Sequence, residues 1–172
     1  MFLKYLHQYP DHLQQSIITL IEKDKLADYL LKRYPSTHDV VNDKLLRQYV
    51  QNMKNQYLKK SDPINQIQFD SKIHVINNAL GQHHFTSRVQ GKKVKRKNAI
   101  RISELFKTAP EPFLEMIVAH ELAHVKEKEH NKAFYKLCQH MSPDYFQLEF
   151  DVRVYLTQLD LFSCPYAVIK SK

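Results

Sequence analysis

Glycine occurs only twice in this 172-residue chain, at Gly81 and Gly91. Helix-favouring leucine, lysine and glutamine are plentiful, so the composition favours a mostly helical architecture. The scarcity of glycine also excludes the glycine-rich loops that hold phosphate groups in many nucleotide-binding proteins. We therefore expect helices to carry most of the fold.

The first third of the chain shows the spacing of amphipathic helices. Leu13, Ile17 and Leu20 repeat at helical intervals, and a second such set runs from Leu46 to Tyr57. Pro35 and Pro63 mark the breaks between segments. This spacing predicts helices over residues 10–23, 25–33 and 40–60.

Between residues 64 and 106 the periodicity changes to short apolar runs of strand type. We expect a small antiparallel sheet, and hence an α+β fold that is mostly helical. The runs that predict its strands lie at residues 64–69, 73–76, 85–89 and 100–102.

Helical signals return after the strand region. Thr108 to Glu111 has the form of a capping box, and it precedes the apolar segment 113–129, which we interpret as a helix entered from the sheet. Two more helix starts are predicted by capping residues: Asn131, and Ser142 followed by Pro143, whose helix would end near Leu161.

Length and composition restrict the class of protein. The chain is 43% apolar and 26% charged, values typical of a folded globular protein. It contains no apolar stretch of the roughly 20 residues that a membrane span needs, and its start breaks at Pro10 before a signal peptide could form. We therefore expect one cytoplasmic domain over residues 1–172 with no membrane partner.

The two cysteines, Cys138 and Cys164, lack the paired spacing of a disulfide framework or a cysteine zinc ribbon. Any metal site must therefore use other ligands.

The feature that indicates chemistry is the motif His120-Glu121-Leu122-Ala123-His124, an H-E-x-x-H pattern. On a helix its two histidines lie one turn apart on the same face, so both imidazoles can meet one ion. Zinc accepts neutral imidazole nitrogen, and a catalytic zinc site keeps three protein ligands and leaves its fourth position to water. Glu121 is suited to take a proton from that water.

The run VAHELAHVKEKEHNKAFYKLCQHMSPDY resembles the YgjP-like zinc metallopeptidase family, which is related to the SprT-like proteases and to the zincins. The family pattern is H-E-L-x-H, a third histidine after five residues, an aromatic-rich helix and Pro-Asp-Tyr. His130 falls in the third-ligand position. Residues 99 to 106 resemble the family's edge strand beside the cleft. The resemblance, strong over residues 99–156, implies a zincin-like catalytic core at 63–172 that follows a helical part at 1–62.

The sequence spacing allows His130 to be the third ligand only if the helix ends before it. Six residues along an unbroken helix would carry it about 240° around the axis and roughly 9 Å onward from His124. The helix must therefore end between Val125 and Glu129, through either a positive φ or an irregular turn closed by Asn131 as the next cap. The rival third ligand is Glu149, on a later helix.

Three functions remain open. The first, which the sequence favours, is a zinc-dependent metallopeptidase in which Glu121 activates zinc-bound water and a peptide lies extended along residues 100–105 by strand addition. The second is a zinc-dependent nucleotide phosphoanhydride hydrolase. The third is a basic nucleic-acid-binding module with structural zinc, since the net charge of +8 permits electrostatic contact with nucleic acid.

Two groups of residues could serve the substrate. The basic run, defined as Lys92, Lys93, Lys95, Arg96 and Lys97, could hold nucleotide phosphates or could be a solvated loop. The adjacent His83 and His84 could line the cleft or could be ordinary strand or turn residues.

Overall fold

The computed structural model describes residues 1–73, 81–90 and 93–167, and it describes only the backbone for 81–90 and 93–97. Six α-helices, three strands and one short 3-10 helix make up this described part, which confirms a mostly helical α+β fold. The helices are α1 Asp11–Glu22, α2 Leu26–Arg33, α3 Asp43–Tyr57, α4 Glu111–Ala123, α5 Lys132–Met141 and α6 Tyr145–Leu161. The strands are β1 Ile64–Asp70, β2 Gly81–Gln90 and β3 Lys93–Ser103, and the 3-10 helix is Glu104–Thr108.

The sheet is mixed, so the expectation of an antiparallel sheet is wrong for one of its two strand pairs. Its order is β1-β3-β2. Strand β2 runs antiparallel to β3, whereas β1 runs parallel to β3, with Ile67 opposite Ile100. Alternating apolar residues predict that a segment is a strand, but they do not specify its partner or direction, and this limit explains the error.

The same topology corrects the position of the expected edge strand. Residues 98–102 of β3 pair with β1 on one side and with β2 on the other, so β3 lies in the middle of the described sheet. The edge strand beside helix α4 is therefore β2, which pairs with β3 and lies close to α4. The expected strand at residues 73–76 has only Ile73 among the described residues, and Ile73 is buried outside any strand.

Two of the predicted helix starts are also wrong. Thr108 ends the 3-10 helix, and Pro110 precedes α4 without a side-chain cap, so the capping box does not form. Ser142 ends α5, and its carbonyl accepts a hydrogen bond from the amide of Tyr145 at 3.0 Å. Ser142 and Pro143 therefore form the turn between α5 and α6.

Helix α4 lies at the centre of the core. Apolar side chains surround it on nearly all sides, which is the pattern of a helix buried between other elements. Its fully buried Phe113 and Leu114 belong to one apolar cluster that extends from Leu30 in α2 to Val152 in α6. The H-E-x-x-H motif is thus carried by a helix that is buried over most of its length.

The described helices and the two cysteines bear on a possible membrane span and on a possible disulfide. None of the helices in the described ranges has the length and apolar character needed to cross a bilayer. Cys138 and Cys164 are both unpaired, as their spacing predicts.

Candidate metal centre

Helix α4 ends at the motif itself. His120 lies in its last turn, and His124 is the residue that follows its last helical position, with φ −65° and ψ −16°. Helical turns continue briefly beyond this point, because the amide of Val125 donates to the Leu122 carbonyl at 3.0 Å. Both imidazoles therefore leave the end of α4 from one face, as the spacing predicts.

The chain then turns back and brings His130 to the same place. The helix ends at Ala123, slightly before the predicted window of 125–129. Asp24 is the only non-glycine residue with positive φ among the described residues, so the bend here is an irregular turn. Asn131 closes it, because its side chain accepts a hydrogen bond from the Phe134 amide at 2.9 Å and caps α5. Of the two bends that we considered, the second is confirmed.

The three histidines form a group that can hold a metal ion. One ring nitrogen from each of His120, His124 and His130 lies within 4.8 Å of the others. The Nε2 atoms of His124 and His130 are 3.1 Å apart. Two nitrogens bound to one tetrahedral zinc at about 2.05 Å would be separated by about 3.3 Å, so the donor set fits such an ion.

Glu149, the rival ligand, is engaged elsewhere. Its carboxylate accepts hydrogen bonds from Nε and Nη2 of Arg153 at 3.1 and 3.0 Å, and from the hydroxyl of Tyr9 at 3.1 Å. It is not part of the histidine group found among the described residues.

Outer partners hold two of the rings in the orientation that a metal ligand needs. Nδ1 of His120 lies 2.7 Å from the Tyr145 hydroxyl, and Nδ1 of His124 lies 2.9 Å from the Glu127 carbonyl. A carbonyl oxygen can only accept, so Nδ1 of His124 carries the proton and its Nε2 keeps a free lone pair. Such contacts to the second ring nitrogen accompany most histidine ligands in metal sites.

The electrostatic environment keeps these rings neutral. Burial, followed by the neighbouring His124 and His130, lowers the pKa of His120 to about 3. Burial is also the main cause that lowers the pKa of His124. Only neutral imidazole can donate a lone pair to a metal, so both residues are in the ligand form at neutral pH.

Glu121 is the buried carboxyl group of the motif. Its side chain is 2% exposed, and Oε2 has no hydrogen-bond partner among the described residues. Burial raises its pKa to about 8. An unpartnered carboxyl oxygen is costly to bury, and it is characteristic of a group that acts on something absent from the protein chain.

The aromatic-rich helix and the Pro-Asp-Tyr segment of the family pattern were given no role from the sequence, but Phe134 and Tyr145 of these segments contact the histidines. The ring of Phe134 is fully buried, and its centroid lies 4.9, 4.5 and 4.8 Å from those of His120, His124 and His130. Tyr145 supplies the hydroxyl beside His120. A phenylalanine four residues after the last histidine, and a tyrosine at the next helix start, were the available signals.

Apart from Lys92, the other candidate residues belong to the antiparallel strands β2 and β3. The backbone of His83 is opposite Ile100 and that of His84 is opposite Ala99, but their side chains are outside what the structure describes. In the basic run, Lys92 lies outside the described residues, and the other members are placed as backbone positions of β3.

Comparisons with known proteins cover the part of the chain that carries the three histidines. A family model described as YgjP-like, metallopeptidase domain, matches residues 91–151, which include all three histidines. The UTP pyrophosphatase of Escherichia coli (strain K12) is 59% identical over 159 residues, which cover 92% of this chain and 95% of that protein. No solved structure matches the chain significantly. With a relative this similar over nearly its whole length, the chain belongs to the YgjP-like family.

Proposed function

We propose that the protein is a zinc-dependent nucleoside triphosphate pyrophosphatase, with His120, His124 and His130 as the metal ligands and Glu121 as the general base. The chain is a hydrolase by family, and the substrate is the open question. One observation carries the choice: the buried carboxyl of Glu121 directly follows His120, a member of a histidine group suited to a metal, in a chain 59% identical to a protein named UTP pyrophosphatase. This reverses the order in which the sequence alone ranked peptide and nucleotide.

Zinc is the metal that the donor set favours. Imidazole nitrogen suits zinc, whereas magnesium and calcium prefer oxygen ligands. A bound zinc ion would supply Lewis acidity and would lower the pKa of a water molecule that it holds from 15.7 to about 7. Three ligands leave a position open, whereas a structural zinc would use four. The three-residue group found in the described part of the chain therefore supports the enzyme over the nucleic-acid module.

Glu121 would take the proton of the attacking water. The unpartnered Oε2 needs a donor, and a water molecule beside the histidines would provide one. Burial alone favours the protonated carboxyl, but a nearby divalent cation lowers the pKa, so Glu121 would be ionised when the site is loaded.

The reaction balances without another reactant. The water oxygen bonds to the α-phosphorus of the triphosphate, and the bond from that phosphorus to the bridging oxygen breaks. Pyrophosphate leaves with the bridging oxygen, while Glu121 receives the proton and returns it to the leaving group or to solvent. The products are a nucleoside monophosphate and pyrophosphate.

Charge favours an anionic substrate. The chain carries a formal net charge of +8, and Lys93, Lys95, Arg96 and Lys97 belong to β3, the strand that also contributes Ile100 and Ile102 to the core. Cationic residues on such a strand can attract a triphosphate through their charge.

A metallopeptidase is the second candidate, because the matching family model carries that description. The strand addition expected along residues 100–105 is not available at Ile100, Arg101 or Ile102, since β3 is paired on both sides there. A peptide would instead have to add to β2, the outer strand of the described sheet beside α4.

The two candidates are separated by one assay design. Zinc-loaded protein is tested against a nucleotide panel that includes UTP and against a peptide library, each with Glu121→Gln as the control. We expect pyrophosphate release from nucleotides, abolished in the variant, and no peptide cleavage. Cleavage of peptides that depends on Glu121, without nucleotide hydrolysis, would contradict the proposal.

A further inference from the structure

An exposed aromatic pair adjoins the histidine group. Phe146, in the first turn of α6, is 48% exposed, and its ring centroid lies 5.4 Å from that of the partly buried Tyr135, at an interplanar angle of 35°. The ring of Tyr135 is in turn 6.3 Å from the ring of His130. A row of rings therefore runs from the exposed candidate ligand His130 through Tyr135 to Phe146.

Phe146 differs from the other exposed phenylalanines in its position beside the histidine group. Among the described residues, Phe2, Phe146 and Phe162 are the exposed phenylalanines. Phe2 lies near the chain start, and Phe162 follows the last residue of the 17-residue helix α6, at the opposite end from Phe146. Phe146 alone of these three contacts the aromatic residues around the histidines, where Tyr145 also packs edge-on against it with centroids 5.5 Å apart.

We infer that Tyr135 and Phe146 form the platform on which the nucleobase of the substrate stacks. This inference rests on the proposed nucleotide pyrophosphatase activity. In a nucleotide, one ribose separates the base from the α-phosphate. The ring centroid of Tyr135 lies 6.3 Å from that of His130 and 5.4 Å from that of Phe146, and these distances span that separation. A nucleotide with its phosphate at the histidines would therefore place its base near these two rings.

The packing around the platform suits it to stacking. Tyr145 is 1% exposed and supports Phe146 from the protein side, so the ring is held in place before the substrate arrives. Base–aromatic stacking contributes about 1–3 kcal/mol per base and accepts every base, since each has a π-face. The platform therefore adds affinity for nucleotides over inorganic polyphosphates and does not by itself choose between uracil and other bases.

The test uses a ligand that has the phosphates but no base. KM and kcat are measured for the nucleoside triphosphate that the parent hydrolyses fastest, along with the inhibition constant of inorganic tripolyphosphate as a competitor. The variants are Phe146→Ala, Phe146→Tyr, which keeps a ring, and Phe162→Ala, a similarly exposed phenylalanine at the other end of α6.

We expect Phe146→Ala to raise KM for the nucleotide by about fivefold or more, the effect of losing roughly 1 kcal/mol of stacking, with kcat nearly unchanged. The inhibition constant of tripolyphosphate should stay at the parent value, and Phe162→Ala should behave as the parent does. Phe146→Tyr, which keeps a ring for stacking, should recover most of the nucleotide affinity that Phe146→Ala loses. An unchanged KM in Phe146→Ala, or a parallel loss of tripolyphosphate binding, would overturn the inference. A parent protein that hydrolyses no nucleotide would instead overturn the proposed function itself.

Discussion

The Tyr145 hydroxyl lies 2.7 Å from Nδ1 of His120, so the first residue of α6 holds a ring that α4 carries. Tyr145 is 1% exposed, and bulk water therefore does not compete for this contact. With Nδ1 of His120 engaged by the hydroxyl, Nε2 is left to face His124 and His130. The geometry of the metal centre thus depends on the packing of α6 against α4.

Replacing Tyr145 with phenylalanine should weaken metal binding while keeping the ring and the fold. The loss of an outer partner of a histidine ligand typically reduces metal affinity by about 10–100-fold. Zinc affinity measured by competition with a chelator tests this expectation. Tyr135→Phe is the matched control, because no hydrogen bond of the Tyr135 hydroxyl is observed among the described residues, and it should bind zinc as the parent does.

Glu121→Gln should keep the metal and lose hydrolysis. The amide has nearly the same shape as the carboxyl but cannot accept the proton of the attacking water, and general base catalysis contributes about 10²–10⁴-fold. Turnover is measured on zinc-loaded variant and parent with equal metal content. A variant that retains full activity would show that another group takes the proton.

The buried carboxylate of Asp151 should be important for stability. It accepts hydrogen bonds from the hydroxyls of Tyr29 and Tyr34 at 2.8 and 2.6 Å, and Nη2 of Arg33 lies 3.3 Å away, so it joins α2 to α6. Asp151→Ala removes the acceptor for all three, and we expect it to lower the free energy of unfolding by about 3 kcal/mol or more.

Chemical denaturation measures this change, and Asp160 provides the control on the same helix. Asp160 pairs with Lys4 at the surface, where an ion pair contributes little. Asp160→Ala should therefore unfold at nearly the same denaturant concentration as the parent. Equal destabilisation by both substitutions would mean that the Asp151 contacts are not what stabilises this helix pair.

Neutralising the basic run should impair substrate binding and leave stability almost unchanged. Like charges repel each other, so their removal should not weaken the fold. The KM of the variant for a nucleoside triphosphate should be higher than that of the parent. Added salt should raise the KM of the parent but should have little effect on the KM of the variant. If KM and its salt dependence are unaffected, the run does not contact the substrate. The substitutions are Lys92→Gln, Lys93→Gln, Lys95→Gln, Arg96→Gln and Lys97→Gln.

The candidate metal centre follows from local sequence more directly than the sheet does. Two histidines four residues apart on a helix must share a face, and Asn131 is a strong capping residue, so the positions of His120 and His124 and the start of α5 were predictable. The position of His130 could be predicted only from the family pattern, because no glycine or proline marks the turn before it.

The errors share a physical cause. Whether β1 pairs parallel or antiparallel with β3 depends on contacts between residues more than 30 positions apart, such as Ile67 and Ile100. Likewise, Thr108 fits the sequence pattern of a helix cap, but it is the last residue of the 3-10 helix that follows strand β3. The hydroxyl of Tyr145 could not be assigned to His120, since only packing of α6 on α4 brings them together.

The central claim is that three histidines hold one catalytic zinc ion, and metal analysis of the parent and of His130→Ala tests it most directly. We expect about one zinc per parent chain, because three imidazoles match the preferences of zinc, and a much weaker site in the variant, which keeps only His120 and His124. Zinc absent from the parent even after reconstitution, or held as tightly by His130→Ala as by the parent, would contradict the account.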